Sequence, residues 1–276
     1  VEDNVHRFSV GPHERLYELV NPEIARQNGS VPAVVLVHGS THTRRELAEE
    51  ANFIALAEEN EYLLVLPEVA FANQGWNPHP DIFPPDIEPP SDVAYFDELF
   101  SRLVQEHGVD PERIYVAGHI SGGMMAYRLA AELPDQVAAI AVVNGTAGIE
   151  LTEEGRSSVV PNPGKNVPVI AFHSVDNPRI PFWGGTGQRE DRAYVSAVRS
   201  AMIWAEYNEL WPHPVKVTNE ADEVVKNLYP SRDGSTEVAL YRMQEGESEW
   251  PQAVPSFDKT ASELIFEFFS RFPRDR

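Results

Sequence analysis

The chain has no cysteine, which excludes disulfides, thiolate metal sites and cysteine nucleophiles. Basic residues are few beside acidic ones, 22 against 43, and the net charge of −21 argues against nucleic acid or an anionic membrane surface as partner. No apolar run approaches the roughly 20 residues of a membrane span. Residues Val1 to Asn4 show no basic region leading into an apolar one, so no leader of that kind is expected there. The nine histidines are scattered without H-E-x-x-H or comparable spacing, so no metal site is expected. Only His38, His42, His119 and His173 fall where they could approach a common pocket. Compartment and oligomeric state stay open.

What is present is an alternation of strand-like and helix-like segments over nearly the whole length. It points to a single α/β domain over 1–276, with a mostly parallel sheet covered on both faces. An opening hairpin is read around Gly11-Pro12, then strands at 33–37, 62–67, 113–116, 137–143, 167–173 and 237–243. Helices are expected over about 44–59, 91–106, 191–210 and 256–272. Residues 68–91 and 144–166 read as long loops over the pocket; the first is rich in proline and aromatics, and loops of such length in a compact domain are usually functional.

After the central strand the chain reads Val116-Ala117-Gly118-His119-Ile120-Ser121-Gly122-Gly123 and runs into the amphipathic segment Met124 to Ala130. This is the strand–turn–helix setting of a nucleophile elbow, in which G-x-S-x-G lifts a serine above a parallel sheet. Gly118 and Gly122 stand where that motif needs them, but the residue between them is Ile120, which cannot attack a carbonyl.

From about residue 14 to 271 the sequence resembles the α/β-hydrolase family of polyhydroxybutyrate depolymerases and feruloyl or acetylxylan esterases. The resemblance rests on Val37-His38-Gly39, the block from Ser91 to Phe96, the run from Val109 to Gly118, the run from Gly122 to Ala130, the block from Ile180 to Gly185, and Glu249-Trp250-Pro251. It implies an α/β-hydrolase fold, a serine–histidine–aspartate relay and a backbone oxyanion hole, here the N–H groups of Ser40 and Ser121. It also implies no metal or cofactor, and a soluble, secreted protein. Aligned on the family's G-x-S-x-G-G-M-M-A-Y, H-G-T-x-D-x-x-V-P-Y and G-H-x-W-P, the nucleophile, acid and base positions hold Ile120, Asn177 and Ser248. All three are substituted, while structural residues on either side persist.

Three readings follow. In one, the active site has been rebuilt or engineered, without native ester hydrolysis, and new charged groups such as Glu247, Asp176 and Arg179 carry a reaction. A carboxylate beside apolar surface would serve as general base, with Arg179 stabilising the anion. In the second, a natural pseudoenzyme binds an ester or aromatic ligand in a pocket walled by Trp76, Trp183 and Trp250, with His119 beside it. In the third, Ser121 serves as a displaced nucleophile. Ser121 also suits a helix start, and His119 and His173 suit hydrogen-bonded structural roles. A small-molecule ligand is the expected partner in every case.

Overall fold

The computed structural model describes residues 4–70, 75–79, 91–151, 156–188, 192–220, 224–254 and 256–274. Its elements in chain order begin with the hairpin β1 (Val5–Val10) and β2 (His13–Val20), α1 (Glu23–Asn28) and β3 (Val31–Val37). Then come α2 (Arg44–Glu50), α3 (Phe53–Glu59), β4 (Leu63–Pro67), α4 (Asp92–His107), β5 (Val109–His119) and α5 (Ser121–Glu132). β6 (Ala139–Val143), β7 (Gly148–Leu151), β8 (Arg156–Val159), β9 (Val169–Ser174), β10 (Gly185–Thr186) and β11 (Arg192–Tyr194) follow. α6 (Ala197–Tyr207), β12 (Val215–Thr218), β13 (Val224–Pro230), β14 (Glu237–Met243) and α7 (Ala261–Arg271) complete the chain.

The strands form one large sheet in the order β1-β2-β4-β3-β5-β6-β9-β14-β13-β12. Its central part, β4 to β14, is parallel, and antiparallel hairpins close both edges. Central strands are apolar along their whole length because both faces are covered, so successive residues serve opposite cores. In β3, Ala33, Val35 and Val37 join the core beneath α4, α5 and α6, whereas Val34 and Leu36 join the one beneath α2, α3 and α7.

Several boundaries differ from the sequence expectation. The helix read over 44–59 is broken into α2 and α3, because Asn52 takes a left-handed conformation at φ 55°, which asparagine tolerates better than most residues. The helix read over 191–210 begins only at Ala197, capped by Ser196, and Arg192–Tyr194 are strand β11. The closing helix read from 256 starts at the Thr260 cap, where Glu263 completes a capping box. The segment 144–166 is not a plain loop, since β7 and β8 within it pair with β10 and β11 in a second sheet of order β10-β11-β7-β8. Much of the loop read over 68–91, residues 71–74 and 80–90, lies outside the described residues. α1, β12 and β13 had no counterpart in the reading. No helix among the described residues is long and apolar enough to cross a membrane.

Candidate functional site

Parallel strands leave their carboxyl ends facing one side, and the turns there gather the candidate residues. β5 passes into α5 through Ile120, at φ 52° and ψ −113°. A β-branched residue at positive φ is a conformational outlier, costing about 1–3 kcal/mol that the surroundings must offset. Here the turn is fixed on both sides: the Ile120 N–H donates to the Val143 carbonyl at 2.9 Å and its carbonyl accepts from the Met124 N–H at 3.0 Å. The glycines are needed for space. A Cβ on Gly122 would lie 2.0 Å from the Val37 carbonyl oxygen, and one on Gly118 would lie 2.2 Å from the Gly122 oxygen. The elbow's form is therefore present in full, with a hydrocarbon at its apex.

Ile120 is 6% exposed and packs with Met124, Ile149 and Ile180, beside the half-buried Tyr194. Ile120, Met124, Ile180 and Tyr194 line a cavity of about 160 Å³ that also touches Ser40, Gly75, Trp76, Pro78, Ser121, Arg179, Gln188 and Arg192. Ser40 and Ser121, read as the oxyanion donors, thus face one cavity. The loop after β3 lies against the elbow, since a Cβ on Gly39 would stand 3.2 Å from the Cβ of Ile120. Trp76 holds that loop by donating its indole N–H to the His38 carbonyl at 2.8 Å. The Ser121 hydroxyl oxygen is buried and has no hydrogen-bond partner among the described residues.

The other two candidate positions reach the elbow through intermediaries. Asn177 Oδ1 accepts from the N–H groups of Arg179 at 2.9 Å and Ile180 at 3.1 Å, which places Ile180 against Ile120, while its Nδ2 has no partner among the described residues. Ser248 is joined through its backbone: His119 Nε2 donates to its carbonyl at 2.8 Å. Burial drives the His119 imidazole down to about 3, with the charges of His42 and Arg179 pushing the same way against that bond. His173, also buried, donates to the Ile180 carbonyl at 2.8 Å, and desolvation takes it down to about 4. Both are neutral at physiological pH, as expected of structural histidines.

The charged and aromatic candidates divide. Arg179 lines both this cavity and a neighbouring open basin of about 470 Å³ formed with Thr41, His42, Glu50, Ser248, Glu249, Trp250 and Gln252. Asp176 and Glu247 are exposed, joined by a 2.9 Å bond from the Glu247 N–H to Asp176 Oδ1, and neither lines the cavity. The expectation of an enclosed carboxylate fails there, because the 244–249 turn projects into solvent. Trp183 is 63% exposed and lies under the Arg242 guanidinium at 5.1 Å, away from the cavity. Trp250 is buried: its indole N–H donates to Ser262 Oγ at 2.9 Å, its ring packs against Phe53 and His119, and it lines the basin rather than the elbow cavity. Of the three tryptophans, Trp76 alone lines the elbow cavity. The sequence reading missed Arg192, Tyr194 and Gln188; a polar run after Gly184-Gly185, too short for a helix start, was the available signal.

Sheet order, elbow and carboxyl-end cavity together define an α/β-hydrolase fold. The solved acetyl xylan esterase of Aspergillus awamori superposes with a TM-score of 0.63 at 14% identity, covering 97% of this chain and 99% of that one. In sequence, the chain is similar to the putative esterase NocK of Nocardia uniformis subsp. tsuyamanensis, 30% identical over 155 residues, 55% of this chain and 42% of that protein. It is also 26% identical over 164 residues to feruloyl esterase B of Thermothelomyces thermophilus, covering 57% of this chain and 55% of that one. The matched stretches thus span about half the length of these curated relatives. No protein-family model matches the chain.

Proposed function

We propose that this chain uses an esterase-type α/β-hydrolase scaffold to hold a small acyl or aryl ester ligand in the cavity above the elbow, without cleaving it through a serine–histidine–aspartate relay. In this reading Ile120, Asn177 and Ser248 occupy the three relay stations, and Ser40 and Ser121 keep the oxyanion donors. The carrying observation is Ile120 itself, an alkyl side chain at the apex of a turn that still has the elbow's strained geometry. The similar proteins named as feruloyl and acetylxylan esterases supply the ligand class, and a cavity of about 160 Å³ suits a single ring or short acyl group.

A rebuilt catalyst fits less well. A general-base carboxylate gains basicity from desolvation, and Glu247 and Asp176 are exposed. A displaced Ser121 nucleophile fits less well too, since its hydroxyl meets no histidine or other partner among the described residues.

The test is binding and restoration. Methyl ferulate should quench tryptophan fluorescence saturably without ferulate release, and the triple variant Ile120→Ser, Asn177→Asp, Ser248→His should hydrolyse it. Turnover by the parent chain that is lost in Ser121→Ala would overturn the reading. So would a folded but inert triple variant.

A further inference from the structure

The loop that carries Ser40 continues into a second constellation. Thr41 Oγ1 lies 2.8 Å from His42 Nδ1, and His42 Nε2 lies 2.7 Å from Glu50 Oε2. The polarity of this chain follows from its chemistry. An ionised carboxylate only accepts, so Nε2 carries a proton; whenever the ring is neutral, Nδ1 is the acceptor and the Thr41 hydroxyl donates to it. That is the order required to activate a hydroxyl nucleophile. The members are held from outside: Glu50 Oε1 accepts from the Trp250 N–H at 3.4 Å, and the His42 ring lies 5.6 Å from that of His119. All three line the open basin of about 470 Å³, and Arg179 on its wall makes no ion pair among the described residues.

We propose that Thr41, His42 and Glu50 form a hydroxyl–imidazole–carboxylate relay that slowly cleaves small activated acyl esters in the basin, independently of the elbow. Thr41 Oγ1 bonds to the acyl carbon as His42 Nδ1 takes its proton, and Arg179 faces the developing oxyanion. The ester C–O bond then breaks and the departing alcohol takes that proton. Water, deprotonated by the same nitrogen, cleaves the acyl-threonine to the carboxylic acid and restores the hydroxyl. Glu50 is a positioning residue, fixing the tautomer.

The experiment is an acid-quenched reaction of the whole chain with p-nitrophenyl acetate, with the acetyl group located by peptide mass spectrometry. Acetyl on Thr41 is expected, absent in Thr41→Val, with acylation slowed about 10²-fold or more in His42→Gln. Glu50→Gln should slow acylation without changing the KM for the ester, Glu50→Asp should restore much of the rate, and both should leave Thr41 as the labelled residue. These side chains are at least partly exposed, so circular dichroism should match the parent. No label on Thr41, or acylation unaltered by Thr41→Val, overturns the relay and leaves the elbow reading standing. Label on Ser121 overturns both.

Discussion

If Ile120 carries the elbow's backbone strain, replacing it with alanine and with glycine should give an inverted order of stability. Both variants lose the side chain that packs with Met124, Ile149 and Ile180, and removing a buried isoleucine costs about 2–5 kcal/mol. At an ordinary position glycine would then be worse than alanine by about 0.4–1 kcal/mol, through unfolded-chain entropy. At φ 52° and ψ −113° the balance turns. These angles mirror a favourable extended conformation, so glycine adopts them freely, whereas any residue with a Cβ carries about 1–3 kcal/mol of strain. Subtracting the entropy term leaves Ile120→Gly more stable than Ile120→Ala by about 1 kcal/mol, or roughly 2–4 °C in Tm for a chain of this size. Urea unfolding followed by tryptophan fluorescence, at equal slope for the two variants, reads the difference. Ile120→Ala equal to or more stable than Ile120→Gly would refute the strained apex, and with it the inherited elbow.

Gly122→Ala should destabilise by about 3 kcal/mol or more, because the new methyl would collide with the Val37 carbonyl at the β3–α5 crossing rather than with a movable side chain; thermal unfolding checks it. Arg15→Met should cost about 3–5 kcal/mol, since it strands the buried Asp92 carboxylate now 2.8 Å from that guanidinium. The double variant Arg15→Met, Asp92→Leu should recover much of the loss in the same urea assay. Acid should weaken the fold through its buried imidazoles. His79, His119 and His173 are pushed below 6.5, to about 3, 3 and 4, chiefly by desolvation. Above pH 6.5 their contribution is complete; between 6.5 and about 4 the unfolded chain binds more protons, and stability falls by up to about 1.4 kcal/mol per pH unit for each. His119→Asn should flatten that slope in urea midpoints measured from pH 7 to 4.5.

The parallel core was legible because strands such as Ala33 to Val37 and Ala139 to Val143 are apolar without interruption, a pattern that only burial on both faces accounts for. The elbow was legible because Gly118 and Gly122 answer a steric demand that leaves no other residue. What escaped reading depends on tertiary contact. Asn52 looks acceptable inside a helix, and only its left-handed backbone, at φ 55°, shows the break between α2 and α3. The second sheet is built from strands of two to four residues, too short to show a period of two, so the cavity residues Gln188, Arg192 and Tyr194 were hidden with it. Trp183 and Trp250 share one pattern in sequence, an aromatic beside a turn, and separate only when packing buries one and exposes the other.

At each of the three candidate relay positions the frame is held by a group that survives a change of the reactive side chain. At 120 the turn is fixed by the backbone N–H and carbonyl, bonded to Val143 and Met124. At 248 the backbone carbonyl, not the side chain, receives the His119 proton. At 177 a single oxygen, Oδ1, accepts from both Arg179 and Ile180, and a carboxylate or an amide supplies that oxygen equally well. An aspartate could therefore become an asparagine with the 177–180 turn intact, its Nδ2 left without a partner among the described residues. Since two of these loops are held by backbone groups and the third by an oxygen that either residue supplies, a cleft can keep its shape while its reactive side chains change, and the reverse substitution should be structurally as mild. Asn177→Asp alone should leave the turn in place, as amide exchange at Arg179 and Ile180 would report; faster exchange at both would show that the amide's second atom, not its oxygen, holds the turn.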